Sequence, residues 1–129
     1  MRARDVMTTN VITVDPDMSV ESLINEYVLR SGQRAFPAVR DGRLLGMVFL
    51  QDLSRLDSGA RGKLQVRDVM IPIERLMALK PEDDAFDALR ILLDGRVGQA
   101  PVVQDGRMTG LVRREDILRW LSFHAVTTA

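Results

Sequence analysis

The sequence has no cysteine, which excludes disulfides, thiolate nucleophiles and cysteine-rich zinc sites, and suits a cytosolic protein. It has one histidine, His124, with no partner at metal-ligand spacing, so a surface histidine is the better reading and no metal site is expected. There is no His-Glu-x-x-His, no Ser-His-Asp or Cys-His set and no glycine-rich phosphate loop, so neither catalytic residues nor a required cofactor are expected. No apolar run approaches the length of a bilayer span, and the first 14 residues lack a signal-peptide core, so the chain as given is expected to be soluble, without direct membrane insertion. No charge of one sign dominates either. Eighteen basic residues balance eighteen acidic ones, which removes the general pull toward nucleic acid or an anionic membrane.

What remains is ordinary globular material: 129 residues, 46% hydrophobic and 28% charged, enough for one real core and too short for two ordinary domains. The seven methionines are scattered and read as core filler. The chain also repeats itself. Arg4-Asp5-Val6-Met7 returns as Arg67-Asp68-Val69-Met70. Pro16 returns as Pro81, Pro37 as Pro101, Asp41-Gly42 as Asp105-Gly106, Gly46 as Gly110 and Asp52 as Asp116. The copies cover residues 4–56 and 67–121; residues 57–66, rich in Gly, Ser and charge, read as a linker, and 122–129 as a tail.

Each copy reads as β-α-β-β-α. Residues 11–14 and 76–79 are short apolar runs stopped before Pro16 and Pro81, consistent with short strands. Val20, Leu23, Ile24, Tyr27 and Val28 form one helical face, with Ser19 placed to cap it and Gly32 to end it. Ala85, Ala88, Leu89, Leu92 and Leu93 match it, capped by Asp83 or Asp84 and followed by Gly95. The Asp-Gly pairs sit between apolar runs, a strong hairpin signal because a type I′ turn needs positive φ. A last helix follows from Asp52 and from Asp116. A half of about 60 residues struggles to bury its apolar faces alone, so the halves should pack on each other.

Read together, RDVMTTNVITVDPDMSV, RAFPAVRDGRLLGMVFLQDL, QAPVVQDGRMTGLVRREDIL and the RDVM that opens both copies resemble a tandem pair of CBS (cystathionine-β-synthase) domains over residues 4–121. The resemblance implies an α/β fold of two repeats packed with pseudo-two-fold symmetry into one module, without catalysis of its own. It implies adenine ligands, AMP, ADP, ATP or S-adenosylmethionine, held in clefts that draw on both repeats, and a regulatory role; the rival reading is a structural, dimerising module with ligand-free clefts. A two-fold homodimer is expected, since the first helix stripe has more apolar width than one half can cover. The stretch EYVLRSGQRAFPAVRDGRLLGMVFLQDL is also similar to the CBS tails of bacterial site-2-protease-type membrane metalloproteases. That would make the chain the cytosolic part of a longer membrane protein, attached to a protease or another enzyme domain.

The resemblance carries specific residues. Asp52 and Asp116 stand where the family holds ribose hydroxyls, against the plainer reading that each caps a helix. The family's Ser or Thr three residues earlier is replaced by Phe49 and Arg113; Arg113 has the chemistry to meet phosphate directly, and Phe49 does not. Arg34 stands where the γ subunit of AMP-activated kinase carries phosphate-binding basic residues, and the second copy has Gly98 there. Ala35, Phe36 and Pro37, and Gln99, Ala100 and Pro101, with Ile12 and Met77, match segments that line the adenine slot, with core packing as the alternative. On this reading the cleft with Asp116 and Arg113 binds better than the one with Asp52. Arg61, Lys63 and Arg67 form a small basic cluster near the linker, read as solvated, with an interdomain phosphate contact as the alternative.

Overall fold

The structure, a computed structural model, describes residues 1–95 and 97–124; of the expected tail, residues 125–129 lie outside the described residues. The chain divides into two compact units. One is Val11–Leu76; the other joins Met1–Asn10 to Met77–Ala129. The units are therefore not the two sequence copies. The segment that opens each copy belongs to the unit built on the body of the other.

Hydrogen bonds give the reason. Helix α1, Ala3–Val6, begins where the amides of Ala3 and Arg4 donate to the carbonyls of Asp83 (2.8 Å) and Pro81 (3.0 Å). Helix α4, Val66–Val69, begins in the same way on Met18 (2.8 Å) and Pro16 (2.9 Å). Amides of a helix's first turn have no partner within the helix, and here the chain beside the repeated prolines supplies one. The aspartate of each Arg-Asp-Val-Met closes the turn from inside: Asp5 accepts from the Arg2 amide and Asp68 from the Gln65 amide, both at 2.8 Å.

In the Val11–Leu76 unit, Ser19 caps α2, Val20–Leu23, accepting from the Ser22 amide at 3.1 Å. The helix continues as a π turn over Ile24–Val28, closed by the Leu29 amide on the Ile24 carbonyl. The span from Pro16 to Pro37 is one residue longer than that from Pro81 to Pro101, and a π turn takes up one extra residue. Strands β1, Ala35–Arg40, and β2, Arg43–Phe49, form the expected hairpin, with φ of 53° at Asp41 and 80° at Gly42. A bulge leaves Leu45 without a partner between the pairs Val39–Leu44 and Ala38–Gly46. Helix α3, Leu50–Ser54, follows β2, and the two-residue β3, Ile71–Pro72, pairs antiparallel with β2. The core is Val14, Val20, Leu23, Phe36, Ala38, Val48, Leu53 and Val66.

The other unit repeats the scheme. Asp84 is the cap of α5, Ala85–Asp94, accepting from the Phe86 amide at 2.7 Å. Strands β4, Gln99–Gln104, and β5, Arg107–Arg113, turn at Asp105-Gly106 with φ of 55° and 79°, and Thr109 is bulged as Leu45 is. Helix α6, Arg114–His124, runs three residues into the expected tail. The core is Ala3, Leu79, Ala88, Leu92, Ala100, Val102, Val112 and Ile117.

Some expectations are corrected. The runs 11–14 and 76–79 reach the sheets through single parallel bridges, Val14 to Ala38 and Leu79 to Val102, rather than as full strands. Leu93 is 49% exposed, outside the buried stripe. Gly95 ends its helix at φ −80°, so it supplies no left-handed cap.

Candidate functional site

Asp52 and Asp116 are not helix caps. The helices begin at Leu50 and Arg114, so each aspartate is the third helical residue. A carboxylate there is favoured by the helix dipole and remains able to face a ligand.

Around Asp52 the backbone gathers Arg34: the Leu50 amide donates to the Arg34 carbonyl at 2.8 Å, joining the residue before β1 to the first turn of α3. Arg34 is exposed, and Phe49 and Asp52 are half-buried. Among the described residues, no side chain pairs with the Asp52 carboxylate. Gln33, which the sequence reading passed over, fixes the wall beside it. Its side-chain oxygen accepts from the Ile12 amide (2.9 Å) and its nitrogen donates to the carbonyls of Ile12 (2.8 Å) and Ala35 (2.9 Å). The second copy has Val97 at that place, which can make none of these bonds. Ala35 and Phe36 are fully buried and Pro37 is buried, so a ligand here meets their backbone rather than their side chains.

The corner at Asp116 has the same backbone frame, with the Arg114 amide on the Gly98 carbonyl at 2.8 Å. Its charges are arranged differently. Arg113 forks onto Asp116, Nε to Oδ2 at 2.8 Å and Nη2 to Oδ1 at 3.2 Å, and Arg119 adds a contact to Oδ1 at 3.4 Å. Asp116 is only 13% exposed. The bidentate bond holds the Arg113 proton and raises its pKa above the ordinary arginine value. The guanidinium that was expected to meet phosphate is thus engaged by the carboxylate that was expected to meet ribose. Gln99 is half-buried, Ala100 and Pro101 are buried, and Met77 is 38% exposed with its methyl group against Gly95.

Of the basic cluster near the linker, Lys63 and Arg67 are exposed and Arg61 is half-buried. Arg67 pairs with Asp17, which also binds Arg40, and Arg40 binds Asp15 at 2.9 Å. His124 stacks on Trp120, ring centroids 3.9 Å apart, and its Nδ1 lies 2.8 Å from the Trp120 carbonyl oxygen. Among the described residues, no group of three His, Cys, Asp or Glu is placed to hold a metal ion, and no helix is long and apolar enough to cross a membrane.

The family model of the CBS domain matches twice, over residues 3–59 and 66–123. The chain belongs to the CBS domain family. This CBS pair is similar to zinc metalloprotease MJ0392 of Methanocaldococcus jannaschii, 28% identical over 95% of the chain and 32% of that protein. It is equally similar to Rip3 of Mycobacterium tuberculosis, also named as a zinc metalloprotease, 28% identical over 96% of the chain and 32% of that protein. The chain thus spans about a third of the length of these relatives. Among solved structures, CBSX2 in complex with AMP superposes with a TM-score of 0.82 at 28% identity, covering 95% of this chain and 96% of that one. The α/β fold expected from the resemblance is the fold of this family.

Proposed function

We propose that this CBS pair is a non-catalytic regulatory module that binds an adenine nucleotide, and that Asp52 rather than Asp116 is its principal ribose ligand. The observation that carries the choice is the fork of Arg113 on Asp116. To accept ribose hydroxyls, Asp116 must share or give up a charge-assisted pair, whereas Asp52 offers a carboxylate with no such partner among the described residues. Arg34, at the same corner as Asp52, is exposed and suited to phosphate. Gln33 holds Ile12 and Ala35 beside it, so the wall is formed before a ligand arrives. A similar CBS protein crystallised with AMP supports the ligand class. S-adenosylmethionine is the weaker fit, because it has no phosphate for Arg34.

Binding regulates by linkage. A ligand shifts the balance between arrangements of the module by its differential affinity and no more. The partner that reads this change is an attached enzyme domain in a longer protein, with a membrane metalloprotease favoured by the relatives. The module then lies on the cytoplasmic side and pairs as a homodimer.

The test is calorimetric titration with AMP, ADP and ATP on the wild type and on Asp52→Ala, Asp116→Ala and Arg34→Ala. Loss of a ribose carboxylate should weaken binding tenfold or more in Asp52→Ala, by the roughly 1.5–3 kcal/mol of a charged hydrogen bond, and change little in Asp116→Ala. The reverse order would return the site to Asp116. Absence of heat with every adenine ligand would favour the structural rival, which the replacement of both family hydroxyls by Phe49 and Arg113 supports.

A further inference from the structure

The carboxamide of Gln33 closes on a single residue's backbone. Its Oε1 accepts from the Ile12 amide at 2.9 Å while its Nε2 donates to the Ile12 carbonyl at 2.8 Å, so one side chain takes both polar groups of Ile12. The second Nε2 hydrogen goes to the Ala35 carbonyl at 2.9 Å. A primary amide has two N–H donors and one acceptor oxygen, so both donors are used and the oxygen is engaged. Ile12 and Gln33 are half-buried and Ala35 is fully buried, a setting in which a broken bond leaves a polar group unpaired at a cost.

The paired pattern is that of a base. Adenine sets its N7 acceptor beside a 6-amino donor, whereas guanine sets N7 beside a carbonyl oxygen, two acceptors together. An uncovered Ile12, with its N–H and C=O side by side, would pair with the adenine edge and turn its carbonyl against an acceptor in guanine. Gln33 already makes those two bonds and stands to Ile12 as an adenine edge would. The next residue, Arg34, holds the Leu50 amide at 2.8 Å, two residues before Asp52. The charged groups at this corner are the half-buried Asp52 carboxylate and the exposed Arg34 guanidinium, which suit ribose and phosphate rather than a base.

We propose that Gln33 is the specificity-determining residue of the Asp52 corner, and that it makes the corner read ribose and phosphate with little regard for the base. This rests on the reading that a nucleotide binds there, and it widens the ligand class from adenine nucleotides to purine nucleotides.

Calorimetry of the whole chain with AMP and with GMP tests it. The wild type should bind the two within about threefold of each other. Gln33→Met keeps an unbranched side chain of similar length without the carboxamide, and should favour AMP over GMP by about tenfold or more, the worth of one hydrogen bond. Circular dichroism verifies folding of the variant. Without ligand, hydrogen exchange at the Ile12 amide should be slow in the wild type and faster in Gln33→Met. A tenfold preference for AMP in the wild type overturns the proposal with no variant needed. So does a Gln33→Met protein that binds both nucleotides alike or prefers GMP, or an Ile12 amide that exchanges equally slowly in both proteins. Those outcomes overturn the role of Gln33 alone, since binding persists in the calorimeter. Absence of heat with either nucleotide in both proteins removes the nucleotide reading itself, and this proposal with it.

Discussion

Replacing Gly46 with alanine should cost more than replacing Gly110, although the two glycines hold the same place in the two copies. A Cβ on Gly46 would lie 2.6 Å from the Ile71 carbonyl oxygen and 2.9 Å from Met70 Sδ. A Cβ on Gly110 would have as its nearest neighbours three atoms of Met7: Sδ at 2.6 Å, Cγ at 2.8 Å and Cβ at 3.1 Å. The Ile71 oxygen is backbone, held where β3 pairs with β2, so relief at Gly46 requires that pairing to open. Met7 has a flexible thioether that can swing aside, while its backbone stays bonded through Thr8 to Leu111 at 2.8 Å. Overpacking costs about 1–3 kcal/mol, and an alanine at a tolerated φ returns about 0.4–1 kcal/mol through the unfolded chain. The expectation is therefore about 2 kcal/mol or more for Gly46→Ala and about 1 kcal/mol or less for Gly110→Ala. Urea denaturation followed by circular dichroism measures both, and Trp120 fluorescence follows the unit that contains Gly110. The pairs separate the causes: Met7→Ala should absorb most of the Gly110→Ala cost in a double-mutant cycle, and Met70→Ala should not absorb that of Gly46→Ala. Equal costs at the two glycines, or full rescue of Gly46→Ala by Met70→Ala, would refute the reasoning.

Arg113→Thr releases the Asp116 carboxylate and restores the family's hydroxyl; calorimetry should then show a second nucleotide equivalent per chain, where the wild type shows one. The pKa of Asp17 is lowered by its bonds to Arg67 and Arg40, and that of Asp15 by the Asp17 amide and Arg40. A depressed carboxylate stabilises the fold above its unfolded pKa of about 3.9, and the contribution is lost as pH falls through the lower folded value. Asp17→Asn should therefore be less stable than the wild type at pH 7, with the gap narrowing as pH falls below about 4 in urea titrations; a gap as wide in acid as at neutral pH contradicts the assignment. Phe36→Ala removes the largest fully buried side chain and should cost about 3–5 kcal/mol, measured by urea denaturation. A smaller loss would mean that Phe36 lines an open slot rather than the core.

The repeat, the hairpins, the capped helices and the family were legible in the sequence because their causes are local. Positive φ at Asp-Gly, a Ser19 hydroxyl within reach of the Ser22 amide and apolar residues at helical spacing act within a few residues of one another. The sequence also named Asp52, Asp116 and Arg34 through the family's pattern. Only the tertiary structure decided what each of them touches. Arg113 and Asp116 are a charged pair three residues apart on paper, and the turn from β5 into α6 makes them a bidentate lock. Gln33 gave no signal at all, because its partners are backbone atoms, those of Ile12 lying 21 residues away in sequence. Arg-Asp-Val-Met and the later glycine stood out as repeated letters, but their connection is a contact between sulfur and backbone that joins Met7 to Gly110 and Met70 to Gly46. Contacts of that kind depend on which segments the chain brings together, and the exchange of the opening segments between the two units follows from long-range hydrogen bonds that no local pattern records.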